Sequence, residues 1–84
     1  MKYKCPCCGY YTLPEEPPGT DHICKVCFWQ DDYVQYQQPD YSDGANEASL
    51  NQARTNYKKF KASESKFIAY VRAPLGEELP ENNK

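Results

Sequence analysis

Two short stretches of the sequence, CPCCG at residues 5–9 and CKVC at residues 24–27, place cysteines in a C-x2-C-x15-C-x2-C pattern. Two residues between paired cysteines let both sulfurs of a tight turn point at one centre, and this spacing is typical of structural zinc sites. Four thiolates complete a tetrahedral shell and leave no coordination position for a water or a substrate. The pattern therefore predicts one structural Zn²⁺. The predicted metal ligands are Cys5, Cys8, Cys24 and Cys27.

The residues around the four cysteines support this assignment. Pro6 presets the first turn, and Gly9 tolerates the positive φ that follows the second ligand of such a turn. Cys7 is the odd thiol, and we interpret it as a small, partly buried apolar residue, with a redox or alternative metal role left open. His22 stands two residues before Cys24. It could replace a cysteine ligand, but we expect its ring to lie beside the site or in solvent.

The length and composition limit what the chain can be. It has 84 residues, enough for one domain, and only 12 of them are Leu, Ile, Val or Phe, although 8 Tyr and 1 Trp add bulk. A core this poor in aliphatic residues commonly needs a metal or disulfides for stability. No apolar run approaches the ~18 residues of a membrane span. The cysteine motif begins at residue 5, which leaves no room for a signal peptide, so we expect a cytosolic protein with reduced thiols.

Charge is distributed unevenly along the chain. The formal net charge is −2, but residues 28–53 carry −5 and residues 54–72 carry +5. A net negative charge gives no electrostatic support to nucleic-acid binding, whose affinity comes largely from neutralised phosphates. We therefore expect the two halves to face each other across the fold or to face a protein partner.

The residue pattern predicts a small α+β fold. Residues 2–4 and 10–13 are candidate strands of a hairpin, and residues 33–36 are a candidate short strand. Ser49 and Gln52 form a capping-box pattern before an apolar stripe that continues to Phe60, which predicts a helix. A second, short helix is predicted around Phe67–Val71, before Pro74. We expect one zinc-stabilised domain over residues 1–75 and a flexible polar tail over residues 76–84.

Aromatic residues follow the second cysteine pair directly. We interpret Phe28, Trp29, Tyr33 and Tyr36 as core residues that pack under the metal site against Leu50, Tyr57 and Phe60. Aromatic platforms for single-stranded nucleic acid lie in cationic grooves, whereas Asp31 and Asp32 here would repel phosphate. The sequence contains no Ser-His-Asp order, Gly-rich phosphate loop or H-E-x-x-H motif. We therefore predict that the protein is not an enzyme.

Several of these motifs together resemble the bacterial cysteine-rich CPCC family. The resemblance covers roughly residues 5–75, and the doubled cysteine motif with its Phe-Trp-x-Asp-Asp continuation is its most specific part. Lys25 stands where a second proline is expected, and Asp21-His22 where less basic residues are usual. The resemblance implies a small cytoplasmic metal-binding protein. The matching stretches are residues 5–13, 17–20, 24–32, 44–46, 49–50 and 53–57.

These observations lead to one functional prediction and two alternatives. The prediction is a monomeric zinc-binding protein-interaction module, built as a zinc-ribbon or rubredoxin-like pair of cysteine turns on short strands followed by two helices. One alternative is an iron electron carrier like rubredoxin, although rubredoxin cysteine pairs lie farther apart in sequence. The other is a nucleic-acid-binding zinc ribbon that uses the basic helix face of Arg54, Lys58 and Lys61.

Overall fold

The structure is a computed structural model that describes residues 2–83. The chain begins with a two-stranded antiparallel sheet, in which β1 (Tyr3–Lys4) pairs with β2 (Tyr11–Leu13). Tyr3 faces Leu13 and Lys4 faces Tyr11, with an irregularity in the register between the two pairs. The predicted hairpin is therefore confirmed.

Two loops of equal length carry the cysteines. The first cysteine loop, residues 4–11, is closed by the strand pair Lys4–Tyr11. The second cysteine loop, residues 23–30, is closed by an isolated antiparallel bridge between Ile23 and Gln30. Strand pairing thus holds the ends of both loops and fixes the positions of the cysteines between them.

The prediction of a strand at residues 33–36 is wrong, because this segment forms a short helix, α1 (Tyr33–Gln37). Asp32 caps the helix by accepting a hydrogen bond from the Gln35 backbone N–H at 3.0 Å. Burial alone would raise the pKa of Asp32, but hydrogen bonds from the backbone amides of Gln35 and Ala45 lower it below its ordinary value. The Asp32 cap stabilises a helix here, although the aromatic composition of the segment favours a strand.

The side chain of Gln35 explains why this segment is helical. It is fully buried, its amide nitrogen lies within 3.1 Å of the backbone oxygens of Tyr41, Asn46 and Ala48, and its oxygen accepts from Asn46. A buried amide with these partners fixes the path of residues 41–48. Tyr33 and Tyr36 then point outward and are 58% and 41% exposed, so their predicted place in the core is wrong.

The predicted helix after Ser49 is confirmed as α2 (Leu50–Phe60). Ser49 and Gln52 form the capping box, with reciprocal hydrogen bonds of 3.1 and 2.9 Å. Leu50 and Ala53 are buried, whereas Tyr57 and Phe60 are half-buried. The helix ends at Lys61, whose φ of 64° is left-handed and whose N–H donates to the Tyr57 oxygen.

The remaining chain forms three short 3-10 helices, Ser65–Tyr70, Gly76–Glu78 and Pro80–Asn82. The first occupies the place of the second predicted helix. Glu78 is buried, and both of its carboxylate oxygens accept from the Arg72 guanidinium at 2.8 Å. The division of the chain into a domain over residues 1–75 and a flexible tail over residues 76–84 stays a prediction.

The hydrophobic core is built around the cysteines. Trp29, Leu13 and Val26 are its largest buried apolar side chains besides Leu50, and Tyr3, Tyr10 and Tyr57 pack against its edge. Phe28 lies outside this core, where its ring contacts Phe67 and Tyr70 at centroid distances of 4.5 and 5.8 Å. Of the predicted aromatic core, only Trp29 is fully enclosed.

Within residues 2–83, none of the helices combines the length and the apolar character that crossing a membrane requires.

Candidate metal centre

The two cysteine loops follow the same backbone path. In the first loop, the Gly9 N–H donates to the Cys5 oxygen and the Cys5 N–H donates to the Tyr10 oxygen, both at 2.9 Å. The second loop repeats these bonds 19 residues later, from Phe28 to the Cys24 oxygen at 2.8 Å and from Cys24 to the Trp29 oxygen at 2.9 Å. The residue after the second cysteine is left-handed in both loops, with φ of 83° at Gly9 and 71° at Phe28.

The paired loops bring four cysteine sulfurs to one point. The Sγ atoms of Cys5, Cys8, Cys24 and Cys27 all lie within 4.8 Å of one another, and this group could hold a metal ion. Cys5 and Cys27 are 3.7 Å apart, as are Cys8 and Cys24, so each close contact joins one loop to the other. Sulfurs ~2.3 Å from a tetrahedral zinc are about 3.8 Å apart. The donor set and its spacing therefore fit a tetrathiolate metal.

Hydrogen bonds favour the thiolate form of Cys24. Bonds from the thiols of Cys27, Cys5 and Cys8 lower the pKa of Cys24, whereas bonding to Cys24 raises the pKa of Cys8 and of Cys27. Cys24 also accepts from the Thr12 hydroxyl at 3.0 Å. These donors stabilise a thiolate, which is the form of cysteine that binds metals.

Backbone amides add further donors in the second loop. The Val26 N–H lies 3.4 Å from the Cys24 sulfur, and the Trp29 N–H lies 3.5 Å from the Cys27 sulfur. Such contacts orient metal-bound thiolates and offset part of their charge. Across residues 2–83, the cysteine sulfurs of the first loop receive no comparable backbone bond.

Cys7 lies outside the group of four. It is 8% exposed and belongs to the hydrophobic core. Since the second loop repeats the first with an offset of 19 residues, its equivalent is Val26, which is also buried. The structure thus places Cys7 where the other loop uses an aliphatic side chain, in agreement with its interpretation as a small apolar residue.

His22 is also separate from the four sulfurs. Its Nε2 lies 2.7 Å from Glu15 Oε1, and the His22 backbone oxygen accepts from the Asp31 N–H at 2.9 Å. The histidine therefore belongs to the segment that leads into the second loop and is not part of the cysteine group.

A comparison with known families agrees with this arrangement. The model of the family described as "Cysteine-rich CPCC" matches residues 3–78. The chain belongs to this family. The match takes in both cysteine loops, both α-helices and the Arg72–Glu78 ion pair of this CPCC protein. No curated relative matches the chain.

The sequence did not identify two residues that support the cysteine group. Thr12 donates to the Cys24 sulfur, and the Ser63 N–H donates to the Cys27 backbone oxygen at 2.7 Å. Thr12 lies next to the buried Leu13 on β2, and strand alternation places their side chains on opposite faces, so the sequence contained no signal for its contact with Cys24. Ser63 follows α2 and is far from Cys27 in sequence, so no local pattern could have found it.

Proposed function

We propose that this CPCC protein is a small zinc-binding module in which one Zn²⁺, held by Cys5, Cys8, Cys24 and Cys27, maintains a fold that binds a protein partner. The observation that carries the metal assignment is the pair of 3.7 Å sulfur contacts between the loops, which match the edge of a zinc tetrathiolate. Thiolate ligands suit zinc, and the closed set of four is typical of structural sites.

A structural role for the metal agrees with where the cysteines lie. Three of the four, Cys5, Cys24 and Cys27, are completely buried and form the centre of the core. A metal there joins the two loops directly, so that its binding free energy contributes to folding. We assign no catalytic step to this centre, because four protein ligands leave no position for a substrate. The reduced thiols that it needs are maintained in the cytosol, where we place the protein.

Metal content of single variants tests this proposal. All five cysteines are changed one at a time to serine, and zinc per chain is measured by native mass spectrometry. We expect one zinc in the wild type and in Cys7→Ser, and loss of most zinc in the other four variants, because each removes one ligand. Cys7→Ser is the matched control, since Cys7 is also buried but lies outside the group. Zinc loss in the control would contradict the assignment.

An iron centre is the second candidate, because the N–H groups of Val26 and Trp29 point at sulfurs of the second loop. Hydrogen bonds to cysteine sulfurs tune the reduction potential of iron–sulfur centres. The two metals are distinguished by colour, since ferric tetrathiolate is red and the zinc form is colourless. A red protein with one iron per chain after expression in metal-replete medium would replace zinc with iron in the proposal.

A further inference from the structure

The largely apolar cavity beside the metal centre lies between α2 and residues 68–74. Its volume is about 360 Å³, within the range of cavities that bind ligands. Tyr57 and Phe60 contribute from α2, and Ile68 and Val71 contribute from the opposite wall. Ile68 is 50% exposed although it is aliphatic, so this wall keeps apolar surface in contact with solvent. Such a cavity is suited to one apolar side chain of a partner.

Positive charge borders this cavity. Lys61 and Arg72 both line it, and the Lys61 ammonium lies 5.4 Å from the centre of the Tyr57 ring. Arg72 is already paired with Glu78. In contrast, Lys58, Lys59 and Lys61 have no carboxylate within 4.0 Å in the part of the chain that the structure describes.

The acidic segment of the same chain does not neutralise these lysines. Only Glu47 of residues 28–53 forms an ion pair with the basic segment, through Lys66. Asp31 is buried and accepts from Thr20, Asp32 caps α1, and Asp40 accepts from Asn51. A single ion pair therefore joins the acidic residues 28–53 to the basic residues 54–72, although the sequence suggested that these segments face each other across the fold. The lysines without a carboxylate neighbour are available to a partner.

We propose that this cavity, together with Lys58 and Lys61, forms a docking surface for an acidic protein segment that carries one apolar anchor side chain. The inference rests on the proposed function, since it names the chemistry of the partner that the zinc-binding module would bind. The anchor would enter between Phe60 and Ile68, while carboxylates beside it would face Lys58 and Lys61. Complementary charge around a buried apolar anchor is a common arrangement in specific protein interfaces.

The geometry favours a peptide over single-stranded nucleic acid. A base needs a free aromatic face on which to stack. The Tyr57 ring is covered on one side by Lys61 and meets Tyr10 edge-on, with centroids 6.3 Å apart. The cavity instead offers ring edges and aliphatic groups to a side chain. The net charge of −2 also disfavours a polyphosphate ligand.

Defined peptides test the proposal. The probes are fluorescein-labelled nonapeptides with four glutamates on each side of a central Leu, Trp or Ser, and binding to the full-length zinc-loaded protein is followed by anisotropy. We expect the Leu or Trp peptide to bind about tenfold or more tightly than the Ser peptide, because only an apolar residue fills the cavity. Binding should weaken as salt is raised, since the lysines are exposed to solvent.

Two variants separate the cavity from the charge without disturbing the fold. Ala73→Phe fills the cavity from an exposed position and should weaken binding of the Leu peptide about tenfold or more. Lys61→Gly removes a cation at a site whose φ of 64° suits glycine, and should weaken binding about threefold. Lys59→Gln is the matched control, because it removes an equal charge from α2 outside the cavity lining and should leave the affinity unchanged.

Several results would overturn the docking surface. Equal affinity for the Leu and Ser peptides, unaffected by Ala73→Phe, would reduce the interaction to general charge attraction. Tighter binding of a ten-nucleotide poly-U RNA, lost in Lys61→Gly, would replace the peptide with nucleic acid. A dimer in sedimentation experiments that Ala73→Phe dissociates would make a second copy of the chain the occupant.

Zinc is measured on the same samples, so that the two proposals fail separately. A protein that carries one zinc per chain but binds none of the peptides overturns the docking surface and leaves the zinc assignment intact. A protein that folds without metal and binds the Leu peptide in preference to the Ser peptide overturns the zinc assignment and supports the docking surface.

Discussion

The two cysteine loops share one backbone path but reach it through different sequences. The first loop places glycine at its left-handed position, where φ is 83°. The second loop places Phe28 at the equivalent position, with φ of 71°, and its ring packs against Phe67 and Tyr70. A left-handed conformation costs a non-glycine residue roughly 1–2 kcal/mol, which tertiary contacts must offset. The first loop therefore depends on local sequence and the second on the rest of the fold.

Burial distinguishes the loops in the same way. Cys24, Val26, Cys27 and Trp29 of the second loop are all at most 1% exposed, whereas Cys8 and Tyr10 of the first loop are only partly buried. The second loop also accepts hydrogen bonds from outside, among them from Ser63 to the Cys27 oxygen and from Arg72 to the Lys25 oxygen, and the first loop accepts one from Arg54 to the Pro6 oxygen. The second loop is thus the more deeply buried of the two, whereas the first loop combines the buried Cys5 and Cys7 with the half-buried Cys8 and Tyr10.

Removal of the metal should have the largest effect, because it disconnects the two loops. We expect a strong chelator to unfold at least residues 1–28, since structural zinc contributes ~10 kcal/mol or more to the folding of small domains. Circular dichroism and the fluorescence of Trp29 would follow the loss, and added zinc should reverse it. A chelated protein with an unchanged spectrum and an unchanged denaturation midpoint would show that the loops hold together without metal.

Tyr10 and Trp29 occupy equivalent positions in the two loops, and replacing each with alanine compares how much their burial contributes to stability. Trp29 is 1% exposed, so Trp29→Ala should lower the free energy of unfolding by about 3–5 kcal/mol in chemical denaturation of the zinc form. Tyr10→Ala is the matched change in the half-buried first loop and should cost less than half as much. Equal losses for the two variants would mean that the loops contribute equally to the core.

Substitutions by glycine and alanine at Gly9 and Phe28 test what stabilises the left-handed backbone of each loop. An added Cβ at Gly9 has its nearest contact 3.8 Å away, so Gly9→Ala should cost only the conformational term of ~1–2 kcal/mol. At Phe28, both Ala and Gly lose the aromatic contacts, but Phe28→Gly should remain about 1 kcal/mol more stable than Phe28→Ala. Denaturation curves that rank alanine above glycine at either position would contradict this account.

Replacement of the odd cysteine should have a small effect, because it copies the second loop. Cys7→Val introduces the side chain that the equivalent position already carries in Val26, and we expect a change below about 1.5 kcal/mol with zinc content preserved. Denaturation and metal analysis of one preparation provide both readouts. A large loss of stability would show that the first loop, unlike the second, requires the smaller thiol side chain at this position.

Acid titration of the Arg72–Glu78 pair should give the smallest effect. The Arg72 hydrogen bonds lower the pKa of Glu78, so its stabilisation is present above the unfolded-state value of ~4.3 and is lost as the pH falls through the lower folded value. Glu78→Gln should therefore cost about 1 kcal/mol or less at pH 7, since Arg72 is 37% exposed, and nothing at low pH. The free energy of unfolding of the wild type and of Glu78→Gln is measured at each pH from 7 to 3. The difference between the two proteins separates the contribution of the ion pair from the loss of metal in acid, which affects both. If Glu78→Gln lowered the free energy of unfolding more at pH 3 than at pH 7, the predicted direction of the pH dependence would be wrong.

Short-range patterns in the sequence predicted the parts of the fold that local chemistry determines. The hairpin, the Ser49–Gln52 capping box and α2 follow from strand alternation and helix capping, and the structure contains all of them. The cysteine spacing likewise predicted which four thiols meet, because two residues between paired cysteines let both sulfurs of a turn point at one centre.

The errors occur where distant residues decide the structure. Tyr33–Tyr36 has strand composition, but hydrogen bonds from Gln35 to residues 41, 46 and 48 select a helix. Phe28 was expected in the core but lies outside it and contacts Phe67 and Tyr70, which come much later in the sequence. The residues next to Gln35 and Phe28 in the sequence do not indicate these partners.

The position of the four ligands along the chain has a consequence for synthesis on the ribosome. All four cysteines lie within the first 27 residues, whereas Arg54, which donates to the Pro6 oxygen, and Ser63, which donates to the Cys27 oxygen, come later. Chains emerge from the ribosome N-terminus first. The four cysteines can therefore come together before α2 has left the ribosome, so that a metal held there would be bound early and the helix would fold onto a loaded site.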